Sequence, residues 1–71
     1  METDENINRL EAMIDEVRRH DENRDPEGAH ITEDRLMGFA LGLIASGCND
    51  PQRIARLGLA TADDNTERWY A

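Results

Sequence analysis

Carboxylate and amide side chains occur at ligand-like spacing just before the middle of the chain. Asp21, Asn23 and Asp25 occupy positions one, three and five of a twelve-residue calcium-binding loop. Such a loop needs Gly at position six and a bidentate Glu at position twelve, where this chain has Pro26 and Thr32. Because both the turn residue and the strongest ligand are missing, the segment predicts an acidic loop between two helices rather than a calcium site.

Other reactive side chains are too few or too scattered to form a catalytic or metal site. His20 and His30 are the two histidines, whereas a zinc site takes three or four protein ligands. Cys48 is the single cysteine, and no histidine is near it in sequence. Neighbouring acids such as Asp15 and Glu16 fall on polar surface, without the buried environment that acid–base catalysis requires. We therefore predict no metal, no cofactor and no enzymatic activity.

The charge of the chain is unevenly distributed. The 71 residues carry a net charge of −8. Residues 1–34 hold 12 acidic residues and 4 arginines, whereas residues 35–71 hold 4 of each, so the whole net charge lies in the first half. Such a surface repels nucleic acid and favours basic protein partners. Lysine is absent, which is typical of a GC-rich genome or of a halophilic protein.

Apolar spacing predicts an all-α fold in a single domain. A first helix is expected at about 4–20, because apolar residues recur there at intervals of three and four positions. An acidic loop is expected at 21–31, since Pro26 stops a helix. A second helix, apolar on nearly every face, is expected at about 33–46 with Thr32 as its N-cap.

The end of the chain predicts shorter elements. Asp50 suits the N-cap of a third helix and Pro51 its first position, so this helix is expected at about 51–57. Residues 61–71 are expected to form a short fourth helix or a tail, in which Trp69 and Tyr70 dock on the bundle or on a partner.

The predicted architecture is a small bundle of three to four short helices, completed by homodimerisation. A chain this short buries only a small core, and the second helix has more apolar surface than two short neighbours can cover. The expected dimer interface combines the apolar seam of the first helix with a stripe of the second. Its residues are Ile7, Leu10, Ile14, Val17, Leu36, Phe39 and Leu43.

The segment ALGLIASGCNDPQRIARLGLAT, residues 40–61, resembles the helix-turn-helix of LuxR-type transcription regulators. That resemblance implies DNA binding by residues 51–69. The segment departs from the family pattern, because Ala55 lies three residues before Gly58 rather than four and Ile54 takes the crossing position. The helix that would read DNA also offers Asp63, Asp64 and Glu67 against one arginine, and acids are unfavourable beside phosphates. DNA binding is therefore kept as the alternative.

The function predicted from the sequence is that of a small acidic module that binds another protein. A sharper version is a phage-type inhibitor that mimics nucleic acid and occupies the basic site of its target, and a third alternative is a halophilic structural or adaptor protein. A cytoplasmic location is expected, in the host cytoplasm if the protein is viral, because no signal peptide or membrane span is visible. The acids expected to contact the partner are Glu5, Glu11, Asp15, Glu16, Asp21, Glu22 and Asp25.

Overall fold

The computed structural model describes residues 4–62 of the chain. Among these residues it has three α-helices and no strand. The helices are α1 (Asp4–Glu22), α2 (Pro26–Ala45) and α3 (Pro51–Gly58). The all-α prediction is confirmed for this part of the chain. None of the three helices is long and apolar enough to span a bilayer.

The α1 helix packs along α2 through its apolar seam. Leu10, Ile14 and Val17 are buried, and Ile7 is half-buried against the same core. The three-and-four spacing of these residues places them on one face, opposite the charged side chains of the helix. The seam is thus covered within a single chain.

The α2 helix begins seven residues earlier than the sequence predicts. Asp25, not Thr32, is its N-cap: the Asp25 carboxylate accepts a hydrogen bond from the backbone N–H of Gly28 at 3.0 Å. Pro26 takes the first helical position, where its missing N–H costs nothing. The expected acidic loop at 21–31 is therefore wrong, because only residues 23–25 connect α1 to α2.

The connection between α1 and α2 is a tight turn. Arg24 adopts a left-handed backbone conformation with φ of 56°. The backbone N–H of Asp25 donates to the carbonyl of His20 at 2.8 Å, which satisfies a carbonyl at the end of α1. The Nδ1 atom of His20 also lies 3.0 Å from the Asp25 carboxylate. The turn thereby sets the angle at which α2 returns along α1.

The α3 helix closes the core at one end of α2. Asp50 caps it by accepting the backbone N–H of Arg53 at 3.1 Å, as the Asp50–Pro51 pair predicts. Ile54 is fully buried between α1 and α2 residues of the core. A Cβ atom at Gly58 would lie 2.7 Å from the Cβ of Ala40, so the close approach of the two helices requires glycine there.

The chain after α3 is fastened to α2 by a buried polar contact. Thr61 is fully buried, and its hydroxyl donates to the Glu33 carboxylate at 2.5 Å. Glu33 lies inside α2 rather than in its first turn, where the sequence places it. Of the predicted element at 61–71, residues 63–71 with Trp69 and Tyr70 lie outside the described residues.

Candidate protein-binding surfaces

The seven acids predicted to contact a partner do not form one continuous surface. Glu16 is half-buried, and its carboxylate accepts the hydroxyl of Thr32 at 3.2 Å, which joins α1 to α2. Asp25 caps α2, and Asp21 is half-buried beside the same turn. The acids that remain exposed along α1 are Glu5, Glu11, Asp15 and Glu22.

Two of these acids stand together on the wall of a groove. Glu11 and Asp15 are four residues apart on α1, so their side chains are neighbours on one face of the helix. The groove has a volume of about 450 Å³, and we call it the acidic groove. It runs between α1 and α3. Its lining residues are Glu11, Ile14, Asp15, Arg18, Leu57 and Ala60.

Arginines reduce the negative charge of α1. Arg18 lies on the wall of the acidic groove, one turn beyond Asp15. Arg19 is exposed on the same helix. The guanidinium of Arg9 lies over the ring of Phe39, 5.2 Å from its centroid, within the range of a cation–π interaction. The exposed surface of α1 is consequently a mixture of charges, and the acidic groove itself has two carboxylates and one guanidinium on its α1 wall.

A second groove, which we call the apolar groove, runs along the other side of α3. Its lining residues are Met37, Ala40, Leu41, Ile44, Ala55, Gly58 and Leu59, none of which is charged. The groove has a volume of about 130 Å³. Leu41 and Leu59 are 65% and 58% exposed, so two large aliphatic side chains stand open to solvent beside this groove.

The residues predicted to form a dimer interface belong to the interior of one chain. Four of them are buried, and three are partly buried and pack against the core. The buried set is Leu10, Ile14, Val17 and Leu36, and the partly buried set is Ile7, Phe39 and Leu43. The exposure of Leu41 and Leu59 was not predicted from the sequence. The second helix is apolar on nearly every face. Its sequence therefore has no amphipathic period that would distinguish the buried face from the exposed one.

Asp25 is a titratable group whose contacts alter its pKa. The pKa of Asp25 is lowered, first because its carboxylate accepts the Gly28 N–H and second because His20 contacts it. Both contacts favour the charged form. This carboxylate stabilises a helix end, and its contacts fix the turn between α1 and α2.

The other chemistry-bearing residues are dispersed. Among residues 4–62 no group of three or more His, Cys, Asp or Glu side chains is placed to hold a metal ion. His30 is exposed on α2, and Cys48 is half-buried against the core. The helix that would read DNA in the helix-turn-helix alternative falls at 63–69, outside the described residues.

The chain was compared with known families, proteins and structures. The chain matches no protein-family model, no curated protein and no solved structure.

Proposed function

We propose that this chain is a small acidic protein-binding module that takes a basic segment of a partner protein into the acidic groove. The observation that carries this function is the placement of Glu11 and Asp15 beside an apolar floor that includes Leu57 and Ala60. Paired carboxylates alone bind any cation weakly at the surface, because water screens them. The adjacent apolar surface adds a contact that is specific to a side chain with an aliphatic part.

Arginine and lysine have the chemistry that fits such a groove. Their aliphatic stems cover apolar surface while their charged heads stay at the rim. In the acidic groove the stems would lie on Leu57 and Ala60, and the heads would reach Glu11 and Asp15. Arginine suits this arrangement better than lysine, since its planar guanidinium pairs with a carboxylate through two parallel hydrogen bonds.

The charge of the whole molecule supports the same partner. The net charge of −8 attracts a basic protein over a distance set by the ionic strength, about 10 Å at 0.1 M salt. Basic surfaces are common on proteins that bind nucleic acid. In the finer form of the proposal the chain blocks such a surface, as a phage-type inhibitor does. The homodimer predicted from the sequence remains part of the proposal. The seam of α1 is not free to form its interface, because the seam is buried within one chain.

A titration with a defined probe tests the proposal. We would add a helical peptide of leucine and arginine to isotopically labelled protein and follow the backbone amides by NMR. The amides of Glu11, Asp15, Leu57 and Ala60 are expected to shift most. The double variant E11Q/D15N is expected to bind about fivefold to tenfold more weakly, since it removes both charges of the wall.

The matched control is E22Q/E27Q, which removes the same charge from exposed positions outside the lining of the acidic groove. It should lose only the small long-range contribution. Equal losses in the two double variants, or shifts centred away from the groove, would contradict the proposal. A gel shift with genomic DNA should be blank at physiological salt, and a surviving band would favour the DNA-binding alternative.

A further inference from the structure

The apolar groove has the size of one aromatic side chain. Its volume is about 130 Å³. Pockets for drug-sized molecules have about 300 to 1,000 Å³, whereas an apolar cavity of about 150 Å³ holds one benzene molecule. The residues that line the groove are uncharged, and two of them, Leu41 and Leu59, are exposed. The groove therefore fits a single uncharged ring better than a helix or a larger ligand.

The α2 wall of the groove has a residue that favours an aromatic occupant. Met37 is half-buried there, and a methionine sulfur makes favourable contacts with an aromatic ring. Leu41 follows one turn later on the same side of α2. A ring that lies against Met37 would also cover the exposed aliphatic surface of Leu41.

The last described residues lie close to one end of this groove. Leu59 lines the groove, and Ala62 follows three residues later. Between them the buried hydroxyl of Thr61 donates to the Glu33 carboxylate on α2. Glu33 is one helical turn before Met37. The chain after Thr61 therefore starts about one turn of α2 away from the groove.

The segment that follows contains aromatic side chains within reach of the groove. Residues 63–71 have the sequence DDNTERWYA, in which Trp69 and Tyr70 are the large apolar residues. Trp69 is seven residues after Ala62, and seven extended residues span at most about 25 Å. From Glu33 to Ile44 the α2 helix rises about 16 Å, at 1.5 Å per residue. The segment is thus long enough to bring Trp69 to any residue of the α2 wall.

Attachment to the same chain favours this segment over a separate molecule. Residues 63–68 tie Trp69 to the fold, and a short linker gives its attached group an effective concentration in the millimolar range. A free partner or a second copy of the chain would need a comparable concentration to compete through equal contacts. The chain's own aromatic residues are therefore the occupant that the groove meets most often.

We infer that residues 63–71 fold back on the apolar groove and that the indole of Trp69 fills it, between the α2 wall at Met37 and Leu41 and the α3 wall at Ala55. Tyr70 lies at the rim, where its ring covers apolar surface while its hydroxyl stays in water. The segment then fastens α3 to α2 a second time, beyond the contact of Thr61 with Glu33. This inference concerns the apolar groove alone and does not rest on the partner proposed for the acidic groove.

Fluorescence of the full chain tests the inference, because Trp69 is the single tryptophan. Its emission in the folded protein is expected to be shifted to the blue, and its quenching by acrylamide to be severalfold weaker, than in the same protein in urea. Leu41→Glu should move the emission most of the way back, since it places a charge beside the ring. The matched control is Ile31→Glu, an exposed aliphatic position of the same helix that does not line the groove. It should leave the emission of Trp69 unchanged.

NMR of a second variant locates the ring. Trp69→Ala should shift the methyl resonance of Met37 and the amide resonances of Leu41 and Ala55, because it removes an aromatic ring from beside them. The amide of Glu11, in the acidic groove, should stay in place. The variant should also lower the melting temperature by several degrees, because it uncovers apolar surface on both the indole and the groove.

Three results would overturn the inference. One is emission and quenching of Trp69 in the folded protein that equal those in urea. Another is an equal effect of Leu41→Glu and Ile31→Glu, which would place the indole outside the groove. The third is emission that moves to the red on dilution from about 100 µM to about 1 µM, since docking within one chain does not depend on concentration. Circular dichroism of each variant checks that the three helices are retained.

Discussion

The two sides of α3 carry grooves of opposite character. The acidic groove has Glu11, Asp15 and Arg18 on its α1 wall, whereas the apolar groove has only uncharged residues on its α2 wall. A charged wall gains most from a partner of opposite charge, and an uncharged wall gains most from another uncharged surface. One side of α3 therefore suits a basic segment, and the other side suits an uncharged surface.

Both grooves depend on the same short helix. The α3 helix gives Leu57 to the acidic groove and Ala55 to the apolar groove. Ile54 lies between them and anchors the helix in the core. An eight-residue helix is too short to be stable alone, so its position depends on this packing. The two grooves differ in chemistry but share one structural support.

The largest expected effect comes from removing that support. Ile54→Ala should lower the free energy of unfolding by about 2 to 5 kcal/mol, because it deletes a fully buried side chain from a small core. Urea denaturation followed by circular dichroism measures the change. Arg56→Ala, an exposed position on the same helix, is the control and should change stability by less than about 0.5 kcal/mol.

Ile54→Ala also tests whether the grooves share their support. The variant should weaken peptide binding in the acidic groove and should also shift the amide resonances of the residues that line the apolar groove. A change at one groove with none at the other would show that each groove has an independent support.

A smaller effect is expected from the polar contacts that hold the helices on either side of α2. Thr61→Val removes the hydroxyl that donates to the buried Glu33 carboxylate, at a cost of about 1.5 to 3 kcal/mol. Thr32→Val removes the longer, partly buried bond to Glu16, at a cost of about 0.5 to 1.5 kcal/mol. Denaturation curves of the two variants give the difference directly.

Hydrogen exchange distinguishes the two contacts by position. Thr61→Val should speed exchange mainly in α3, because Glu33 and Thr61 fasten the chain after α3 to α2. Thr32→Val should act mainly where α1 meets α2. The same pattern of exchange in both variants would mean that the three helices open as one unit.

Part of this architecture follows from local sequence signals. The Asp50–Pro51 pair predicts the start of α3, because an aspartate cap and a proline at the first position act within four residues. The Asp25–Pro26 pair is the same signal for α2, but its proline was interpreted as a helix breaker. That error turned the first two turns of α2 into a loop.

The proposed binding surfaces were harder to predict, because they depend on which helix faces pack against each other in the fold. The seam of α1 was identified as apolar but was also assigned to a dimer interface, whereas the structure buries it against α2 of the same chain. Glu33 and Thr61 are 28 residues apart in sequence, so no local pattern links them. Among the predicted acids, Glu11 and Asp15 line a groove whereas Glu16 and Asp25 hold helices together, and only their tertiary neighbours distinguish the two roles.

The smallest expected effect is a pH dependence that should leave both grooves unchanged. The pKa of Asp25 is lowered from its ordinary value of 3.8, so the charged carboxylate is favoured in the folded chain. The stability that it contributes is present in full above pH 3.8 and is lost as the pH falls through the lowered pKa. Asp25→Asn keeps a good capping side chain but does not titrate.

Asp25→Asn therefore gives a difference measurement in a chain with many other acids. Subtracting the unfolding free energy of the variant from that of the wild type cancels the titration of those acids. The difference should fall as the pH drops below the ordinary pKa of Asp25. The unfolding free energy of His20→Gln, subtracted from that of the wild type, should show a smaller fall than the same difference for Asp25→Asn. The reason is that the Gly28 N–H, which this variant keeps, is the larger cause of the lowered pKa of Asp25. Because the cap lies at the turn between α1 and α2 and lines neither groove, peptide binding at pH 7 should match the wild type in both variants. A difference that stays flat down to pH 3 would mean that the contacts of Asp25 with Gly28 and His20 do not distinguish the folded chain from the unfolded one.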